Sequence, residues 1–341
     1  MNQQNRHVSC CQFGLTIVAG CLCGAVEAGE KTGPRGPDAA VGRPVRVLSI
    51  AFDNKALEEV VRRVDQEAAK GADVVLLPET WRGEKPEPLD GPAVASMAPL
   101  AKKHKTYIVC PIDRWDGKRR LNSAVLLDRQ GQVACVYDKV FPTTVELGLK
   151  PPRQPGKDAM VYQADFGRLG LSICFDVSFP EVWRRLADQG AELVLWASQY
   201  SAGTSLQAHA LNHNFYIVSS TSQADCMAID LTGEILLYQS KPGGINVTQV
   251  TLDLDRGIYS TDFNMVKRDK LLKEHAGDVV LDKWLPRECF FVLKAKRPGV
   301  SARRLAAQYG LEEITPYLAR SRREADRLRG WEFPGPAPSS R

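Results

Sequence analysis

The sequence contains no Cys-x-x-Cys pair, and this absence limits what its nine cysteines can do. Structural zinc sites made of thiolates commonly use such pairs, so none is expected. Four of the cysteines lie within the first 23 residues. The others are odd in number and spread over a long chain, which excludes a disulfide framework and predicts at least one free thiol: Cys110, Cys135, Cys174, Cys226 and Cys289.

Histidines and basic patches are also scarce. The net charge is only +5, and no basic patch is interleaved with aromatic residues, so nucleic acid is not an expected partner. Two of the five histidines, His209 and His213, have the spacing of a metal pair, but Ala210 stands where the HExxH zinc motif has its glutamate. We interpret them as packed or surface histidines of a helix. No metal or cofactor is expected.

The N-terminus has the composition of an export signal. Residues 1–28 contain an apolar run that is too short and too interrupted to span a membrane. Cleavage after Ala28 is one interpretation; the other is a lipoprotein signal that ends at residue 20 and leaves Cys21 as a lipid anchor. Either predicts a periplasmic or extracellular protein. A leader without a targeting role is the alternative.

Strand-length apolar runs alternate with amphipathic helical segments after a Gly- and Pro-rich linker at 29–43. These runs are continuous, which predicts strands buried on both faces of a helix-covered sheet. The pattern predicts one α/β domain over 44–256. We expect 257–331 to be a largely helical extension that packs on the core or on a partner subunit, and 332–341 to be a disordered tail.

Three residues of reactive type lie at or just after the ends of apolar strands: Glu79, Lys139 and Cys174. Cys174 also precedes a helix start at Pro180, so it lies at a sharp strand-to-helix turn. Taken singly, each has an ordinary interpretation: a solvated loop acid, a surface lysine and a buried core thiol. Active sites collect where the strands of an α/β sheet end, so a single shared site explains all three together.

The three groups form a coherent reaction system. A partly desolvated carboxylate can act as general base for the thiol, and a lysine ammonium favours the thiolate and then a tetrahedral oxyanion. The expected reaction is acyl transfer through a thioester.

The segments around these residues resemble the three signature blocks of the nitrilase superfamily of carbon–nitrogen hydrolases. They read Leu-Leu-Pro-Glu79-Thr, Tyr-Asp-Lys139-Val-Phe-Pro and Ile-Cys174-Phe-Asp-Val-Ser-Phe-Pro-Glu. The resemblance implies an α/β fold of αββα type, a four-layer sandwich formed when two subunits pack, with a Glu–Lys–Cys triad. It also implies a second glutamate, at Glu146, whose alternative is an exposed loop acid, and an oxyanion contact from the backbone N–H of Phe175.

Departures from the family pattern bear on the substrate. Phe175-Asp176 is closer to the amidase and carbamoylase branches than to the nitrilases proper, and Ser178 stands where those branches often carry an arginine. The sequence therefore predicts a hydrolase that cleaves an amide or N-carbamoyl C–N bond of a small molecule. An N-acyltransferase that uses the same thioester and a non-catalytic interaction protein are the alternatives.

The resemblance also implies a homodimer or higher homo-oligomer. We expect its interface on helices at 180–189 and 206–214, because Trp183 and Leu186 give the first helix more apolar surface than solvent favours. Burial of these side chains by the C-terminal extension is the alternative.

Overall fold

A computed structural model describes residues 40–331. The predicted export signal with Cys21, most of the predicted linker and the predicted disordered tail lie outside this range. Within it, no helix is both long enough and apolar enough to cross a membrane.

Two six-stranded sheets form the core. The first has the spatial order β12-β1-β2-β3-β4-β5, in which β1, β2 and β3 are parallel. Its strands are β1 (Pro44–Phe52), β2 (Val74–Leu76), β3 (Tyr107–Trp115), β4 (Arg120–Leu127), β5 (Val133–Asp138) and β12 (Ile245–Asp253).

The second sheet has the order β11-β10-β9-β8-β7-β6, in which β7, β8 and β9 are parallel. Its strands are β6 (Val161–Gln163), β7 (Arg168–Ile173), β8 (Leu193–Ser198), β9 (Tyr216–Thr221), β10 (Asp225–Ile229) and β11 (Ile235–Ser240).

Helices cover the outer face of each sheet. The first sheet packs under α1 (Leu57–Ala68) and α2 (Pro92–His104), and the second under α4 (Pro180–Asp188) and α5 (Thr204–His213). A single helical turn, α3 (Thr144–Leu147), lies on the connection between the sheets.

The inner faces of the two sheets pack on each other within one chain. Along β1, Val45 and Val47 belong to the core between the sheets, whereas Leu48 and Ile50 belong to the core under the helices. The hydroxyl of Ser49 donates to the carbonyl oxygen of Ser219 in the opposite sheet at 2.8 Å. The αββα fold class is therefore confirmed. The expectation that two subunits are needed to form the four layers is wrong, because each sheet covers the inner face of the other.

The extension after the core is helical, as predicted, and also contains a three-stranded antiparallel sheet. Arg303 binds Glu313 at 2.7 Å within the extension and Glu192 of the core at 3.0 Å. The carboxylate of Asp255 accepts a hydrogen bond from the backbone N–H of Ala302. The elements are β13 (Gly257–Ser260), α6 (Thr261–Glu274), β14 (Val279–Leu285), β15 (Phe290–Ala295), α7 (Ala302–Gln308) and α8 (Ile314–Arg329).

The apolar side chains of α4 are buried by their own sheet. Trp183 and Leu186 are fully buried. The Trp183 ring stacks on His209 of α5 with 4.3 Å between ring centroids, and its core includes Val194 and Trp196 of β8. The expected interface role of these two side chains is wrong, and so is the alternative that the C-terminal extension buries them.

Candidate active site

The three predicted reactive residues each follow a strand end and are nearly inaccessible to solvent. Glu79 lies three residues after β2 and Lys139 directly after β5, both in the first sheet, while Cys174 directly follows β7 in the second. Their exposed fractions are 2%, 1% and 5%. None of them is the solvated loop acid or surface lysine of the ordinary interpretations.

Lys139 is held between two carboxylates. Its Nζ lies 3.1 Å from Glu79 Oε1 and 2.7 Å from Glu146 Oε2. Glu146 reaches this position from α3 through a capping box, in which the Thr143 hydroxyl accepts from the Glu146 N–H and the Glu146 carboxylate accepts from the Thr143 N–H. The structure therefore brings Glu79, Lys139 and Glu146 together, and Glu146 is a buried acid rather than an exposed loop acid.

An asparagine that the sequence analysis missed joins the two glutamates. Asn122 Nδ2 donates to Glu79 Oε1 at 2.7 Å and to Glu146 Oε1 at 2.8 Å. The signal was available, because Asn122 lies in β4, where all eight residues are buried and most are apolar. A buried amide is costly unless it is hydrogen-bonded, so its presence there indicates polar partners.

Further buried charges extend the site behind Glu146, and these were also missed. Arg153 Nη1 contacts Glu146 Oε1 at 3.2 Å, and its Nη2 contacts Asp113 at 3.0 Å. Arg120 forms a forked pair with the same aspartate, with the closest contact at 2.6 Å. With Glu79 and Lys139, this connected network has three carboxylates and three cations, so its formal charge is zero.

Electrostatics keep the ammonium of Lys139 charged. Burial alone would lower the pKa of Lys139, but the negative charges of Glu79 and Glu146 raise it above its usual value. Burial would raise the pKa of Glu146, but Lys139 and the surrounding hydrogen bonds lower it to about 2. At neutral pH the lysine is therefore a fixed cation beside an ionised Glu146.

Cys174 holds its proton more strongly than an ordinary thiol. Burial raises its pKa to about 12, and the charge of Glu79 adds to this, while Lys139 and hydrogen bonds from Gln199 and Ser198 only partly oppose it. The resting residue is therefore a neutral thiol; Lys139 favours the thiolate, as expected, but does not offset the effect of burial. Its backbone has φ of 46°, the strained geometry typical of a nucleophile at a sharp turn.

One carboxylate oxygen at the site is unused. Glu79 Oε1 is occupied by Lys139 and Asn122. Glu79 Oε2 is buried and accepts no hydrogen bond from any residue in the described part of the chain. A buried acceptor without a donor is unfavourable, so this oxygen is available to take a proton.

The structure also shows where Phe175, His209 and the other cysteines lie. Phe175, half-buried, lies with Cys174 at the start of the 3-10 turn Cys174–Ser178. His209 is packed, with its Nε2 2.9 Å from the Val177 carbonyl oxygen, and no group of three potential ligands that could hold a metal ion occurs among residues 40–331. All five cysteines of the same range are free, which agrees with the absence of a disulfide framework and the prediction of at least one free thiol.

Comparison with known proteins identifies the family. The Carbon-nitrogen hydrolase family matches residues 46–258, well over half of the chain. The chain therefore belongs to the carbon–nitrogen hydrolase family, and the resemblance drawn from the three sequence blocks is confirmed. A deaminated glutathione amidase from Synechocystis sp. is 29% identical over 243 residues, which cover 58% of this chain and 86% of the relative.

Solved structures share the fold. An amidase from Nesterenkonia sp. superposes with a TM-score of 0.54 at 20% identity, covering 69% of this chain and 98% of the amidase. A member of branch 10 of the nitrilase superfamily from Saccharomyces cerevisiae gives the same TM-score at 17% identity, with 62% and 91% coverage.

Proposed function

We propose that this protein hydrolyses the C–N bond of a small amide or N-carbamoyl compound through a thioester on Cys174. The observation that carries the proposal is the geometry of Glu79. One of its oxygens is fixed by Lys139 and Asn122, and the other is buried without a partner among residues 40–331, while the charge of Glu79 acts on the neutral thiol of Cys174. A neutral thiol needs a base at the moment of attack, and Glu79 supplies one.

In the first half-reaction, Cys174 Sγ bonds to the carbonyl carbon while Glu79 Oε2 takes the thiol proton. Lys139 Nζ and the backbone N–H of Phe175 stabilise the oxyanion of the tetrahedral intermediate. Collapse of this intermediate breaks the C–N bond, and Glu79 returns the proton to the leaving amine. The product is the amine and an acyl-thioester.

In the second half-reaction, Glu79 takes a proton from water as the water oxygen attacks the thioester carbonyl. The second tetrahedral intermediate breaks the C–S bond, and Glu79 returns the proton to the sulfur. The carboxylic acid leaves and the neutral thiol is restored. Glu146 does not exchange protons in this scheme, since its pKa of about 2 keeps it ionised; it holds the Lys139 ammonium in place.

The relatives support a small amide as substrate. One relative is named for the amidase reaction on deaminated glutathione. Variants of an amidase from Nesterenkonia sp. AN1 are known in complex with butyramide and with acrylamide, which are short neutral amides. These names guide the choice of substrates for testing.

The test measures ammonia and acid release by the full chain from a panel of aliphatic amides and N-carbamoyl compounds. Cys174→Ala should abolish turnover, whereas Cys110→Ala, which removes another buried thiol, should not. The partitioning of the thioester between water and an added acceptor amine separates hydrolysis from N-acyl transfer. Turnover by Cys174→Ala at the wild-type rate would exclude the thioester mechanism.

We also propose that the protein is exported and acts as a homo-oligomer. The composition of residues 1–28 supports export, and mass analysis of the mature protein would distinguish cleavage after Ala28 from lipidation of Cys21. Light scattering of the purified protein would give the oligomeric state. A mature protein that begins at Met1, or a monomer at micromolar concentration, would contradict the respective proposal.

A further inference from the structure

The catalytic groups are divided between two sheets that no strand pairing connects within residues 40–331. Lys139 and Glu79 follow strands of the first sheet, and Cys174 follows a strand of the second. Proton transfer and oxyanion stabilisation require these groups to hold their relative positions to within a fraction of an ångström. A specific contact across the two sheets is therefore needed close to the site.

The carboxylate of Asp176 makes this contact. Its Oδ2 accepts from the Tyr137 hydroxyl at 2.7 Å and from the Ile173 N–H at 3.2 Å, and its Oδ1 accepts from the Phe141 N–H at 2.9 Å. Tyr137 and Phe141 lie on either side of Lys139, while Ile173 immediately precedes Cys174. One side chain with no exposed surface therefore binds both the lysine segment and the cysteine turn.

We propose that Asp176 is a positioning residue that fixes Cys174 relative to Lys139. This inference rests on the proposed thioester mechanism and adds to it a residue that touches no reacting atom.

The local structure fixes Asp176 itself. The indole Nε1 of Trp183 donates to the Asp176 carbonyl oxygen at 3.0 Å, which anchors its backbone to α4. A second contact runs in parallel, since the ring of Phe141 stacks on that of Phe179 with 3.7 Å between centroids.

The chemistry of the contact requires an aspartate. All three partners of Asp176 are donors, and an ionised carboxylate is the side chain that only accepts. An asparagine must turn its NH₂ group toward one of the two oxygen positions. It then faces the N–H of either Phe141 or Ile173, so either the lysine segment or the cysteine turn loses its hydrogen bond.

The test compares Asp176→Asn with two other variants of the full chain. Asp176→Asn should lower kcat by about 10²-fold, the scale of a 1 Å misplacement, and change KM less than about threefold. Tyr137→Phe removes one donor and should lower kcat less. The double variant Asp176→Asn/Tyr137→Phe should have a kcat no lower than that of Asp176→Asn alone, because both substitutions affect the same contact. The two losses of kcat should therefore not add.

Ser49→Ala is the matched control. It removes another buried hydrogen bond between the sheets, from Ser49 to Ser219, away from the Lys139 and Cys174 segments. It should lower the midpoint of urea unfolding without a comparable loss of kcat. Equal losses of kcat in Ser49→Ala and Asp176→Asn would overturn the positioning role, as would a wild-type kcat in Asp176→Asn. Should Asp176→Asn fail to fold, a wild-type kcat in Tyr137→Phe would overturn it too.

Amide hydrogen exchange distinguishes failure of this inference from failure of the proposed function. Asp176→Asn should accelerate exchange in the peptides that contain Phe141 or Ile173, and Ser49→Ala should not. This readout needs no substrate. Unchanged exchange in both peptides would refute the proposal that Asp176 holds the two segments together, whereas turnover by Cys174→Ala would refute the thioester mechanism.

Discussion

Replacement of Lys139 by glutamine is expected to lower both the free energy of unfolding and kcat, and the two losses can be measured separately. Lys139 is 1% exposed and contacts two carboxylates, so its loss leaves Glu79 and Glu146 without their shared cation. The network then has three carboxylates and only two cations, Arg153 and Arg120. One negative charge is buried without compensation.

The magnitudes follow from this count. Removal of one partner from a buried ion pair costs about 3–5 kcal/mol of unfolding free energy, because the other charge stays desolvated. Removal of an oxyanion donor costs a further factor of about 10²–10³ in kcat. A protein in the middle of the usual stability range, at about 10 kcal/mol, would keep about 5 kcal/mol and remain folded, so the loss of kcat is measurable.

The assay pairs urea unfolding with initial rates for Lys139→Gln and for Lys139→Gln/Glu146→Gln. The double variant has two carboxylates and two cations, so its stability should recover substantially while its kcat should not. In Lys139→Gln, the uncompensated negative charge can also be removed when one carboxylate of the network takes up a proton. The pKa of that carboxylate would be raised in the folded state. The loss of unfolding free energy relative to wild type should therefore shrink as the pH falls from 7 to 5.

Two results would refute this reasoning. Lys139→Gln with wild-type stability would mean that the charges are not coupled as the distances indicate. Lys139→Gln with a wild-type kcat would mean that the lysine does not stabilise the oxyanion.

Two further predictions concern titration. Because burial raises the pKa of Cys174 to about 12, its alkylation by N-ethylmaleimide should be slow at pH 7 and rise about tenfold per pH unit up to pH 10, as peptide mapping would show. Faster labelling than at the exposed Cys289 at pH 7 would contradict a resting thiol. Burial also raises the pKa of Asp176 from 3.8 to about 6. The folded protein then binds more protons than the unfolded chain in this window, so wild type should lose about 2 kcal/mol relative to Asp176→Asn as the pH rises from 4 to 6, measured by urea unfolding. A constant difference between the two proteins would contradict this pKa.

Local patterns in the sequence predicted most elements of the core. The stripe that includes Val60 and Val64 predicted α1, and the continuous apolar runs predicted strands buried on both faces. The strand β14 was missed because Asp282 and Lys283 interrupt its apolar run. Both find ionic partners, in Arg256 and Asp230, that are distant in the sequence.

Contacts distant in the sequence explain the other errors. The pattern around Trp183 shows that one face of α4 is buried, but it cannot show which surface buries it, and that surface is the second sheet. Likewise, nothing in the local sequence marks Asn122 and Arg153 as site residues. Their role depends on hydrogen bonds to Glu146 that form only in the folded chain. The reactive residues were easier to find, because each of them ends or closely follows a strand.

The pairing of β1 with β12 has a consequence for synthesis of the chain. The two strands are antiparallel over nine residue pairs, from Pro44 opposite Asp253 to Phe52 opposite Ile245. About 200 residues must be made between Phe52 and Asp253, which takes about 10–40 s at typical translation rates. Throughout that interval one edge of β1 has unpaired backbone groups and can pair with other chains. The first sheet of this enzyme is therefore complete only after β12 has been synthesised. Factors that cover the exposed edge of β1 during synthesis should determine what fraction of the chains avoids aggregation.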